Sequence, residues 1–155
     1  MRHCRTAAIA LLILGTGAVG AADAPLPRGT VQASPDAIRW QPGSPAMPPG
    51  TQMAVLEGDP KGKEWFTLRL KVPAGAVIKP HWHPRDERVT VISGVAGVGF
   101  GETVDPKKVT RLGPGSFYVN PANSRHYLVF GEETVLQATG IGPWELHFVE
   151  APPAP

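Results

Sequence analysis

Between residues 51 and 150 the chain alternates between hydrophobic and polar positions with a period of two. Phe66, Leu68, Leu70 and Val72 are interleaved with Thr67, Arg69 and Lys71, the pattern of a strand with one buried face. Glu87, Val89 and Val91 alternate with Arg88, Thr90 and Ile92. Ser93 and Gly94 then mark a turn or bulge, and the pattern resumes over 95–101. Four more short runs follow, at 116–120, 126–130, 135–139 and 144–149. Turn chemistry separates them: Gly113-Pro114-Gly115, Pro121-Ala122-Asn123, Gly131 and Gly142-Pro143. No amphipathic helical stretch exceeds two turns. Many short strands at a spacing of about 8–12 residues predict an all-β sandwich or barrel.

The two ends read differently. Residues 23–50 carry prolines at 25, 27, 35, 42, 45, 48 and 49. Proline has no amide donor and a fixed φ, so this stretch forms neither a long helix nor a central strand. It is expected to be an extended arm with one short strand around 37–41. Residues 151–155 form a short Ala/Pro tail. At the start, 1–5 is short and basic, 6–20 is apolar, and Val19, Gly20, Ala21 and Ala22 are small, the order of a secretory signal. The apolar run falls short of the roughly 20 residues needed to span a bilayer. The expectation is a signal peptide over 1–22, removed after Ala21 or Ala22. The mature chain would then be exported, periplasmic or extracellular, and free of the membrane. One domain, 51–150, follows the arm.

Removing the leader changes the charge. The chain has 15 Lys+Arg and 13 Asp+Glu; Arg2 and Arg5 leave with the leader, so the mature balance is 13 − 13 = 0. A neutral chain without a basic stripe gives no basis for nucleic-acid binding. The single cysteine, Cys4, also lies in the leader. Disulfides are thereby excluded, and any metal site must use imidazoles and carboxylates.

Candidate chemistry is concentrated in two segments. In the first, His81 and His83 flank Trp82 between Pro80 and Pro84. Side chains two apart on a strand share a face, so the two imidazoles can grip one ion, and Trp82 points away. Glu87 shares the face of Val89 and Val91. A carboxylate buried alone there is costly, and a neighbouring cation removes the cost. In the second segment, His126 shares a face with Leu128 and Phe130. A lone histidine on such a face is ordinarily a hydrogen-bonded core residue; here a ligand-rich segment lies upstream. The remaining candidates have plainer readings. His147, between Leu146 and Phe148, is expected at the surface, and Tyr118 and Tyr127 are expected to pack with satisfied hydroxyls. Arg125 reads as a solvated or paired cation, and Lys107 and Lys108 as a solvated loop. No phosphate-binding glycine loop and no defensible Ser/His/Asp set is present.

The two segments resemble the signature motifs of the cupin superfamily. The first, G-x5-H-x-H-x3,4-E-x6-G, is matched at Gly75, His81, His83, Glu87 and Gly94, a coincidence on the order of 10⁻⁴ for a shuffled chain. The second, G-x5-P-x-G-x2-H-x3-N, is matched at Gly115, Pro121 and His126. It departs at Asn123, which still tolerates a left-handed turn, and at Phe130, which makes the surroundings more apolar. The resemblance covers 51–150, and its flanking text is similar to small exported single-domain cupins. It implies an antiparallel jelly-roll β-barrel of six to eight strands, commonly a homodimer. It also implies one divalent transition metal ion per chain, held by His81, His83, Glu87 and His126. Three imidazoles and a carboxylate suit Fe, Mn, Ni, Cu or Zn, and leave two positions open on an octahedral ion. The function implied is a metal-dependent enzyme acting on a small molecule, with dioxygenase leading and isomerase, lyase or hydrolase behind it. The alternative is a non-catalytic metal- or ligand-binding or sensing module.

Overall fold

The structure is a computed structural model that describes residues 25–149; the expected leader, 1–22, and the tail, 151–155, lie outside the described residues. The chain divides into two compact units, 1–30 and 31–155. In the first, the described residues form a turn closed by the Thr30 N–H donating to the Pro27 carbonyl at 3.1 Å. The second holds every described strand.

Those strands are β1 (Gln41–Pro42), β2 (Gln52–Glu57), β3 (Trp65–Val72), β4 (Val77–Trp82), β5 (Glu87–Ser93) and β6 (Ala96–Phe100). They continue with β7 (Thr110–Leu112), β8 (Phe117–Asn120), β9 (His126–Phe130), β10 (Thr134–Ile141) and β11 (His147–Phe148). The only helical element among the described residues is a 3-10 turn, Pro35–Ala37. One sheet has the order β1-β2-β3-β10-β5-β8, the other β11-β4-β9-β6-β7. Every pairing is antiparallel. From β3 to β6 and again from β8 to β11, each successive strand lies in the opposite sheet. That crossing back and forth is the jelly-roll winding that the resemblance implied.

Burial follows the alternation. In β3, Phe66, Leu68, Leu70 and Val72 face in; in β10, Thr134, Leu136, Ala138 and Gly140 do. The hydrophobic ones among them form one core with Val89, Val91, Val98, Leu128 and Phe130. Each large side chain fully removed from water contributes about 1.5–3 kcal/mol, which offsets the ordering of short strands that are unstable alone. Gly94 ends β5 with φ 73, and a Cβ there would collide with the Glu133 carbonyl and the Thr134 hydroxyl. Only glycine fits this turn.

Several boundaries differ from the sequence expectation. The short strand of the arm falls at Gln41–Pro42 rather than 37–41. There Pro42 sits on a sheet edge, where its missing N–H costs nothing. Strands β2 and β7 lack a clean alternation and were not anticipated. The run expected over 144–149 shortens to His147–Phe148, leaving 142–146 as a loop. The second half of the proline-rich stretch packs onto the barrel. Gly43 N–H donates to the Thr51 carbonyl at 2.8 Å, and Met47 is 7% exposed within the core. Proline content shows which elements are forbidden there, but not that a methionine among the prolines finds the core.

Candidate metal centre

A bulge in β4 aims the first two histidines. Opposite β9, Ile78 pairs with Leu128 and His81 with His126, so three steps on β4 face two on β9. Ile78 faces in; unbroken alternation from it would turn Trp82 inward and both histidines outward. The extra residue around Pro80 reverses the faces, and proline is tolerated there because a bulge leaves one amide unpaired. His83 lies just beyond β4. Its carbonyl accepts the Asn123 N–H at 2.8 Å, and the Asp86 carboxylate accepts the Ala122 N–H at 2.9 Å. The two motif segments are thus bound to each other. Asn123 has φ 62, the left-handed geometry anticipated for it.

The three imidazoles converge. Ring centroids are 4.2 Å apart for His81 and His126, 5.0 Å for His81 and His83, and 5.2 Å for His83 and His126. One ring nitrogen from each lies within 4.8 Å of the others. Every Nδ1 faces a backbone carbonyl: His81 that of Lys79 at 2.7 Å, His83 that of Glu145 at 2.7 Å, His126 that of Ser124 at 2.9 Å. A carbonyl only accepts, so each Nδ1 carries the proton and each Nε2 presents a lone pair. The Nε2 atoms of His83 and His126 are buried without a hydrogen-bond partner.

Glu87 stands beside this trio, outside the three-residue group. Its Oε1 accepts the Trp144 indole N–H at 2.8 Å, its Oε2 accepts the Asn120 amide at 2.9 Å, and Oε2 lies 3.5 Å from His83 Nε2. With the His83 proton on Nδ1, that contact sets two acceptors against each other, which a cation relieves. Burial, together with the like charges of its histidine neighbours, lowers the pKa of His81 from 6.5 to about 3. Burial likewise lowers His126, opposed by the Ser124 carbonyl and Glu87. Burial and then the Glu87 charge push the Tyr118 phenol well above its ordinary value. Both shifts favour the neutral imidazole of His81 and His126, the state that ligates a metal.

The donor set fits a transition-metal ion: neutral imidazoles oriented by backbone carbonyls, two of them with orphaned lone pairs, and an adjacent carboxylate. The cavity beside it measures about 20 Å³, the room of a water molecule or two. Met47, Val89, Leu128 and Leu136 give it an apolar lining, and Tyr118 and Trp144 also border it.

The plainer candidates fall elsewhere. His147 is on the outer face, stacked on Trp82 at 4.2 Å and 3.0 Å from the Glu145 carboxylate. The Tyr127 hydroxyl donates to the Asp105 carbonyl at 3.0 Å. Arg125 pairs with Glu102 at 3.5 Å, and Lys107 and Lys108 are exposed beside Asp105. Sequence reasoning missed Asn120 and Trp144 as partners of Glu87. Asn120 carried one signal, its position two residues after Tyr118 in the run over 116–120; Trp144 stood only as the first residue of the run expected over 144–149.

Fold and site together define a cupin. The profile of the ChrR Cupin-like domain family matches residues 28–145, and the chain belongs to that family. Among solved structures it is similar to the polyketide cyclase RemF from Streptomyces resistomycificus, with TM-score 0.63 and 16% identity over 80% of this chain and 88% of that one. It is also similar to an acetylacetone dioxygenase from Acinetobacter johnsonii, with TM-score 0.60 and 17% identity over 97% and 85%. KdgF from Halomonas sp. aligns with TM-score 0.54 and 22% identity over 70% and 91%. At these identities the likeness concerns the fold alone. No curated protein matches the chain by sequence.

Proposed function

We propose that this chain is an exported metalloprotein that holds one divalent transition metal ion with His81, His83, His126 and Glu87. Its reaction is on a small molecule, with dioxygenase chemistry leading. The observation that carries the reading is the set of three Nδ1-anchored imidazoles, with two buried Nε2 lone pairs left unpartnered. A bound ion supplies Lewis acidity and, if redox-active, electron exchange with its ligand. The chain's own part is to orient the imidazoles, keep bulk water out with an apolar lining, and hold proton-bearing groups in place. Tyr118 borders the cavity with its phenol protonated, a donor beside the Glu87 acceptor. Export is supported by the basic, apolar and small-residue order of 1–22. The named relatives with this fold include a dioxygenase and a cyclase, so the fold alone does not choose a reaction.

A second reading is favoured by the cavity. At about 20 Å³ it has room for a diatomic or water-sized ligand. That suits a non-catalytic metal- or small-ligand-binding module. Metal-loaded protein assayed for oxygen consumption against a panel of small diketones, thiols and enols separates the two. Metal-dependent uptake with any of them supports the enzyme, and its absence with iron, manganese, nickel and copper supports the module.

A further inference from the structure

The Glu87 carboxylate is held from two sides. Two donors fix its plane: the Trp144 indole on Oε1 at 2.8 Å and the Asn120 amide on Oε2 at 2.9 Å. Asn120 lies directly opposite Glu87 in the β5–β8 ladder, so its contact follows from strand register. Trp144 comes from the 142–146 loop, far away in sequence. That loop also supplies the Glu145 carbonyl that anchors His83 Nδ1 at 2.7 Å. The indole plane lies 16° from the His83 ring plane, with centroids 5.8 Å apart. One short loop therefore touches two of the four candidate ligands through three contacts.

The loop is itself fastened. The Trp144 backbone N–H donates to the Pro60 carbonyl at 2.6 Å, and the Gly142 backbone N–H to the Glu64 carbonyl at 3.0 Å. A buried indole N–H needs an acceptor, and a carboxylate makes that bond charge-assisted. Packing alone would be served by phenylalanine.

We propose that Trp144 is the positioning residue of the metal centre. Its N–H holds Oε1 so that Oε2 faces the histidines, and its ring limits rotation of the His83 imidazole. This rests on the reading that the histidine trio holds an ion. Partners that orient a ligand typically account for about 10–100-fold in metal affinity. Trp144→Phe keeps a smaller aromatic ring at that position and removes the donor.

The test is a cobalt(II) titration of the full chain after metal removal. Affinity is read by competition with a chelator, and geometry by the visible absorption of the bound ion. Wild type, Trp144→Phe, Glu87→Ala, the double variant and Trp82→Phe are compared. Expected are about tenfold weaker binding and a changed cobalt spectrum for Trp144→Phe, with Trp82→Phe matching wild type. In the Glu87→Ala background the Trp144→Phe effect should shrink to within about twofold, because the indole acts through the carboxylate. Wild-type affinity and spectrum in Trp144→Phe would overturn the proposal. So would an undiminished effect in the Glu87→Ala background, which would mark a merely structural role. If wild type takes up no cobalt, the metal reading itself fails and this proposal falls with it. Should Trp144→Phe fold poorly, benzothienylalanine at 144, which has the shape of tryptophan without the N–H, makes the same comparison.

Discussion

The two faces of the β4–β11 pair carry the same residue types in opposite states. On the inner face His81 is opposite Phe148, and on the outer face Trp82 is opposite His147. His81 is 3% exposed, tied by Nδ1 to a carbonyl of its own strand, and neutral down to about pH 3. The His147 side chain is 42% exposed, meets the Glu145 carboxylate and stacks on Trp82. The imidazoles are chemically identical. What separates a candidate ligand from a surface residue is the face and the kind of partner. A backbone carbonyl fixes the tautomer and leaves Nε2 free, whereas an exposed carboxylate engages Nε2 itself. The bulge around Pro80 decides which face each residue receives.

The largest effect should come from truncating an inner imidazole. His126→Ala removes a fully buried ring and a ligand, so metal content by elemental analysis should fall to near zero. His147→Ala should leave metal content unchanged and shift stability by no more than about 0.5 kcal/mol. Equal losses in the two variants would erase the distinction between the faces.

The next effect is on pH dependence. Between about pH 3 and 6.5 folded His81 binds fewer protons than unfolded His81. Unfolding therefore takes up a proton, and stability falls as pH falls through that window; above it this contribution is constant. His126 acts in the same direction. Urea melts of metal-free protein from pH 7.5 to 5 should show a decline of up to about 1.4 kcal/mol per pH unit from His81, with His126 adding in the same direction. A flat profile would mean that the inner rings already charge in the folded state.

Two smaller effects sharpen the comparison. Trp82→Ala removes the outer stack and should cost about 1 kcal/mol in thermal melts without changing metal content. Asn123→Gly keeps a residue suited to φ 62 and should shift stability by only a few tenths of a kcal/mol, with His83 still anchored.

Much of this was legible in the sequence. Period-two alternation located β3, β5 and β9, and strand geometry put His81 and His83 on one face; that His126 joins them was what the resemblance to the second motif implied. Three features were not legible. The β4 bulge is a register property that appears only when β9 pairs with β4, and simple alternation placed the two histidines on one face without showing which face Ile78 had claimed. Met47 lies in a segment without periodicity, and Trp144 in a run expected as strand that folds as a loop, so the burial of each depends on tertiary packing. The partners of Glu87 follow from strand order in one case and from a loop crossing in the other, neither of which local pattern encodes.

The central claim, that the converging histidines hold an ion, is tested most directly by metal content in the His81→Ala/His83→Ala double variant beside wild type, each purified identically and checked for folding by circular dichroism. The account predicts about one transition-metal ion per wild-type chain, removable by EDTA, and essentially none in the double variant. Full occupancy in the double variant, or a wild type that takes up no metal when supplied with it, would contradict it.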